Sequence, residues 1–228
     1  GDWLKANSPL SKVFSVAGKD RSAITMAGKN PDGVYWYERS VAKFTSSGYY
    51  GPLPNYVEAF NGDNFFVDGY GARYPKTWEH KPGSLRADDY KGESVEDLRY
   101  SGHPLNIGEL GERAARFYAS PFLDLATTEL AKRVIDEERL GRRGATDLLA
   151  ISYSSLDVVG HRYGPYSGES EDTLARIDAT IGELLAFLDE RLGGDYVVGL
   201  SSDHGVLPLP EWLVETGEMR CPVSGGRI

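Results

Sequence analysis

One cysteine, Cys221, is all the thiol these 228 residues hold, so no internal disulfide framework exists and cysteine usage says nothing of the redox compartment. Long apolar runs are missing as well. None approaches the roughly 20 consecutive apolar residues that span a bilayer as a helix, which argues against a membrane partner. Basic residues are few: 25 Lys and Arg against 34 Asp and Glu leave a formal charge of -9. Such a balance argues against nucleic acid, whose phosphate backbone is gripped by clustered Lys and Arg. Histidine is scarcer still, at four, so the places where it falls are informative. The opening Gly1-Asp-Trp-Leu has neither a Met nor a basic stretch leading into an apolar one, and it reads as an interior cut rather than a secretory leader. No repeat or low-complexity tract is visible.

What remains is the composition of a globular protein, 40% hydrophobic and 26% charged, long enough for one large core. Residues 12–17 alternate and end at Gly18, which predicts a strand entering a turn. Residues 34–37 and 43–47, aromatic and β-branched between turn residues, predict two more. The stretch 52–108 is rich in Gly, Pro, Asp and aromatics without a sustained period. Its tyrosines suggest a folded, loop-rich insertion rather than disorder, because aromatics supply burial. Helices are predicted from 106 or 107 to 118, over 127–140 up to Gly141, and over 167–192. In the last of these Leu174, Ile177, Ile181, Leu184, Leu185 and Leu188 form one apolar stripe, Ser167 or Ser170 can cap it, and Gly193-Gly194 stops it. Apolar runs at 147–153 and 195–200 predict strands on either side of that helix. The rhythm is βαβ, with two parallel strands opening their C-terminal ends on one edge.

Just past each of those runs stands an Asp-His pair. Asp157 and His161 are four residues apart in Leu156-Asp-Val-Val-Gly-His161, and Asp203-His204 lies in Ser201-Ser-Asp-His-Gly205. Strand ends of an α/β sheet are where ligands bind, and carboxylate with imidazole is a zinc donor set. Either pair alone is equally what a polar turn would show; together, at matched places, they predict a metal site. Lys19 and Arg21 follow the first strand in Ala17-Gly-Lys-Asp-Arg-Ser22. Arg offers a planar fork and Lys a point charge for phosphoryl oxygens, although a Lys-Asp-Arg run also serves as a solvated turn with a local ion pair.

Gly1-Asp-Trp-Leu, the block Val13-Phe-Ser-Val-Ala-Gly-Lys-Asp-Arg-Ser-Ala-Ile24, Phe44-Thr-Ser-Ser, Asp157-Val-Val-Gly-His161-Arg-Tyr-Gly-Pro and Ser202-Asp-His-Gly205 together resemble the alkaline phosphatase superfamily. Within it they are most similar to the bacterial phosphate-irrepressible alkaline phosphatases, which group with type I phosphodiesterases and nucleotide pyrophosphatases. The likeness runs along residues 1–228, read as a single partial domain of an α/β fold. It implies a largely parallel central sheet flanked by helices, with 52–108 as an insertion.

The resemblance implies two Zn2+ ions, one held by Asp157 and His161 and the other by Asp203 and His204. It implies that Lys19 and Arg21 grip the non-bridging oxygens of a dianionic monoester, and that Thr45 and Ser46 are structural. Small-molecule phosphate esters are the expected substrates, and a periplasmic or secreted location follows from the likeness alone. The oligomeric state is left open. The family's nucleophilic Thr, a phosphate-contacting Asn, its first Asp ligand and its last His ligand have no counterparts here, and His80 and His103 are poor replacements. The 228 residues are therefore expected to be the middle of a longer enzyme acting through a phosphothreonine, inactive alone. Two rivals stay open: a phosphodiesterase or nucleotide pyrophosphatase of the same superfamily, and a non-catalytic metal- or phosphate-binding domain.

Overall fold

The computed structural model describes residues 1–64, 74, 78 and 110–218. Its centre is a four-stranded sheet in the order β3-β2-β1-β4, with β1 Val13–Ala17, β2 Gly33–Glu38, β3 Lys43–Thr45 and β4 Leu148–Ser152. β1 pairs in parallel with β2 and β4, and β3 closes the β2 edge antiparallel. All five residues of β1 are buried, as a strand covered on both faces requires.

Alternation along β1 and β2 sorts side chains to two layers. Phe14, Val16, Tyr35 and Tyr37 join the larger core, while Ala17, Val34 and Trp36 join the smaller. The smaller core is completed by Ala23 and Ala27 of α2 (Asp20–Ala27). The larger holds Val57 and Phe60 of α3 (Asn55–Asn64), Phe117 of α4 (Leu110–Tyr118), and Leu123, Leu130 and Val134 of α5 (Phe122–Glu137). The architecture is thus α/β with helices on both faces of a mostly parallel sheet, as the sequence predicts. A short α1 (Asp2–Asn7) precedes β1.

Two helices lead out of β4. α6 (Ser155–Tyr163) starts close behind the strand, and α7 runs Gly168–Leu192. Ser167 caps α7 by accepting the Ser170 N–H at 3.1 Å. Gly193, at φ 60, ends it in a left-handed cap whose N–H reaches Asp189 O at 2.9 Å. Both ends were legible. The apolar stripe is only half covered: Leu184 is buried, Ile177, Ile181, Leu185 and Leu188 are half-buried, and Leu174 is 56% exposed.

Three expectations need correction. α5 begins at Phe122 rather than 127 and ends at Glu137, ahead of Gly141. Pro121 at its N-cap suits a helix start, where a missing N–H costs nothing, and Phe122 and Leu123 extend the buried face backwards. The stretch 52–108 is expected to be a loop-rich insertion, and its described part is more regular than that: α3 lies within it, anchored by the buried Asn61. That side chain accepts from Phe44 N (2.9 Å) and donates to Phe44 O (2.8 Å), pinning α3 to β3. Tyr74 and Trp78 from the same stretch are buried, against Phe117 and Tyr163.

The third correction matters most. No strand forms over 195–200; Val197 is 98% and Leu200 81% exposed. A strand takes its ladder hydrogen bonds from a neighbour, and among the described residues β4 has a partner on one side only, β1. β4 itself is half-buried throughout. The other edge of β4 stays open among the described residues, the apolar run does not pair with it, and the predicted βαβ unit is not closed. After it comes α8 (Pro210–Glu215). Among the described residues no helix is long and apolar enough to cross a membrane.

Candidate metal and phosphate site

Register brings the first two functional side chains together. Ala17 ends β1 opposite Ser152, which ends the adjacent parallel β4. The chain leaves both strands at the same edge, through Gly18 into α2 and through Ser154 into α6. Gly18 is required by closeness: a Cβ there would sit 2.7 Å from Leu123 Cδ2 and from Ser154 Cβ. Lys19 is the N-cap of α2 and Asp157 lies in the first turn of α6. Their side chains meet, with Lys19 Nζ donating to Asp157 Oδ2.

The other oxygen of Asp157 faces two imidazoles. His161, one turn on along α6, places Nε2 3.4 Å from Oδ1, and His204 places its Nε2 3.5 Å from the same atom. His204 Nε2 also lies 3.6 Å from Asp203 Oδ2. The His204 Nδ1 is 2.9 Å from Gly205 O. A carbonyl can only accept, so at this contact Nδ1 is the donor. The Asp203 side chain is 88% exposed and that of His161 80% exposed. Lys19, Asp157, His161, Asp203 and His204 thus lie in one chain of contacts. Arg21 is exposed in the first turn of α2 and close enough to Tyr118 for its charge to bear on that phenol, as does Asp157.

Burial pushes the Asp157 carboxyl up, but the Lys19 hydrogen bond and charge, with the charges of His161 and His204, outweigh it and leave the group below its ordinary value. It stays ionised, the state that binding a metal would require. Among the described residues no group of three or more His, Cys, Asp and Glu is arranged as a finished metal site. The pairwise spacing nonetheless suits zinc: with bonds of about 2.0–2.2 Å, two donors on a tetrahedral ion stand roughly 3.3–3.6 Å apart. Asp157 Oδ1 with His161 Nε2 and Asp203 Oδ2 with His204 Nε2 fall in that range. The donor types fit zinc; the set is incomplete.

Two nearby residues escaped sequence reading. Asp124, in the first turn of α5, is fully buried and accepts from Ser154 N at 2.8 Å and Ser155 N at 3.2 Å, the backbone that opens α6. Burial pushes its carboxyl up to about 7, against the lowering effect of those N–H groups and of Lys19. A single acid within Phe122-Leu-Asp-Leu-Ala126 was the available signal. Tyr118, raised by burial, has Arg39 4.8 Å over its ring and stacks on Tyr37. Thr45 ends β3 opposite Trp36. His80, His103 and Cys221 lie outside the described residues.

Comparison with known proteins accords with this geometry. The chain is 35% identical over 228 residues to alkaline phosphatase PhoV of Synechococcus elongatus, a match covering 96% of this chain and 40% of that one. It is 32% identical over 217 residues to alkaline phosphatase PafA of Elizabethkingia meningoseptica, covering 88% and 38% respectively. The solved structure of wild-type alkaline phosphatase PafA superposes with a TM-score of 0.86 at 29% identity, over 96% of this chain and 43% of that one. The α/β fold is therefore alkaline-phosphatase-like, and the chain spans about two fifths of the length of these relatives. Residues 3–218 match type I phosphodiesterase / nucleotide pyrophosphatase, and the chain belongs to that family, within the alkaline phosphatase superfamily.

Proposed function

We propose that this chain is the metal- and phosphate-handling part of a zinc-dependent hydrolase of phosphate monoesters. The observation that carries the reading is the convergence of Lys19, Asp157, His161 and His204 where β1 and β4 end. Asp157 and His161 would hold one zinc ion, Asp203 and His204 the other. Bound there, two such ions would supply Lewis-acid charge for the attacking and leaving oxygens of an in-line displacement. Lys19 and Arg21, at the start of α2, hold the non-bridging oxygens of a dianionic monoester. The N-terminal end of α2 adds its partial positive charge to the same oxygens. Phosphoryl transfer depends mainly on such positioning and charge stabilisation.

The nucleophile is assigned to the longer protein. The family's Thr, which would carry the phosphoryl group covalently, has no counterpart in these residues, and neither do one ligand of each zinc ion. The substrates are small-molecule phosphate esters. A periplasmic or secreted setting is proposed with it. A phosphodiesterase is the second reading, favoured by the family's own description; two cations beside the metal ligands favour the monoester, which has one more phosphoryl charge to hold.

The test is turnover of an aryl phosphate monoester and its matching diester by the full-length protein, before and after chelation and zinc return. Monoester preference that disappears with the metal and returns with zinc supports the proposal. Diester preference overturns it in favour of the second reading. Binding of inorganic phosphate without turnover of either ester would make this a non-catalytic binder.

A further inference from the structure

We propose that Asp124 is a positioning residue that sets Lys19 against Asp157, an inference resting on the hydrolase reading above. Asp124 belongs to α5, a different element from either, and is 1% exposed. Its Oδ1 accepts the N–H groups of Ser154 (2.8 Å) and Ser155 (3.2 Å), and its Oδ2 accepts Ser155 again at 3.2 Å. Those N–H groups begin α6, whose first turn carries Asp157. Ser154, at the N-cap position, makes no capping bond with its own side chain, so the helix is capped from outside by Asp124. Ser155 Oγ donates to Ser120 O at 2.8 Å and ties the same turn to the approach to α5 a second time.

The β1–α2 turn is pressed against this junction. Gly18, the residue before Lys19, has room for no Cβ, because Leu123 on one side and Ser154 on the other lie 2.7 Å from where it would stand. Leu123 and Ser154 are the chain neighbour of Asp124 and its hydrogen-bond donor. One buried carboxylate therefore fixes the start of α6 at the point where the Lys19 turn abuts it. A charge is a costly thing to bury where an apolar side chain would pack. What it provides here is a fixed distance between a phosphate-gripping cation and a metal ligand. Displacements near 1 Å at such distances cost on the order of 100-fold in rate.

The test is a double-mutant cycle in the full-length protein, using an aryl monoester, inorganic phosphate as competitor, and thermal melting. Asp124→Ala is expected to lower monoester kcat/KM by about 100-fold and to weaken phosphate inhibition, at temperatures where it remains folded. On a Lys19→Ala background the same change is expected to cost less than about threefold, because residues acting as a unit are not additive. Asp124→Asn keeps an oxygen for both Oδ1 bonds and is expected to stay within about fivefold of wild type. Full additivity with Lys19→Ala overturns the proposal, as does a folded Asp124→Ala protein with wild-type kinetics. Should Asp124→Ala not fold, Asp124→Asn decides: rescue with unchanged phosphate inhibition supports the proposal, and a loss near 100-fold with unchanged melting overturns it. If the wild-type protein turns over neither ester, the hydrolase reading fails and takes the positioning role with it; in the other failures it stands.

Discussion

Replacing Gly18 by Ala probes the junction where the fold becomes the site. The added Cβ would meet Leu123 Cδ2 and Ser154 Cβ at 2.7 Å and Ser154 Oγ at 2.8 Å. Ordinary carbon contacts begin near 3.5 Å, so the junction must open by roughly 0.8 Å. Leu123 is fully buried and Ser154 Cβ is attached directly to backbone, so neither can rotate clear. Overpacking of this kind costs about 1–3 kcal/mol. The reduced freedom of the unfolded chain returns about 0.4–1 kcal/mol, leaving a net loss of about 1–2 kcal/mol. For a chain of this size that lowers the melting temperature by roughly 2–8 °C. Gly62→Ala is the matched control, since its Cβ meets nothing within 4 Å on α3, and helix propensity predicts a gain of up to about 1 kcal/mol. Urea denaturation of both variants measures the difference. Monoester turnover by the full-length Gly18→Ala protein should fall more than its stability loss explains, because the opening separates the Lys19 turn from α6. A Gly18→Ala protein as stable as wild type, or one destabilised with full activity, would refute the reasoning.

Lys19→Ala combined with Arg21→Ala should lower monoester turnover at least about 100-fold more than diester turnover, since charge-assisted bonds to the extra phosphoryl oxygen are what the pair supplies; equal losses would show both side chains to be structural. Asn61→Ala removes the acceptor of the Phe44 N–H and the donor to its C=O and should cost about 2–4 kcal/mol in urea denaturation at unchanged m; a loss under about 0.5 kcal/mol would mean other groups or water satisfy β3. Asp124 gives a pH signature. Its carboxyl is raised from 3.8 to about 7 in the fold, so its contribution to stability is fully present below about pH 4 and is lost as pH rises through about 7. The difference amounts to roughly 4 kcal/mol. Asp124→Asn should lack that slope, and parallel pH–stability curves for the two proteins would contradict it.

Much of the fold was legible because local pattern and tertiary need coincide. Phe14 and Val16 face one core and Ala17 the other, and Ser167 and Gly193 bracket α7 with the caps their chemistry favours. Legibility failed where a long-range partner decides. α3 carries a buried asparagine and an interior glycine, which weaken any helical period, and its place is set by Asn61 bridging to β3. The run at 195–200 fails the opposite way. Its Val197, Val198 and Leu200 have the composition of a buried strand, and composition alone cannot supply a neighbour.

The site divides along the same line. That Asp157 and His161 share one face could be read from spacing, since they are one helical turn apart on α6. That Lys19 touches Asp157 could not, because 138 positions separate them and only the Ala17–Ser152 register brings their strands side by side. Asp124 was invisible for a further reason: its bonds go to backbone N–H groups, which any sequence would offer at 154 and 155. The same distinction bears on how, under the proposed function, a chain of charge -9 would hold an anion. Net charge governs encounter over a Debye length of about 10 Å, whereas contact energies at 3–4 Å depend on the few groups present there. At this sheet edge those groups are Lys19 and the start of α2, with Arg21 exposed on its first turn, beside a carboxylate and two imidazoles that zinc would render cationic. If these residues hold zinc as proposed, the local sign would be set by their being filled, and binding of inorganic phosphate should rise with zinc occupancy even though the chain as a whole repels anions.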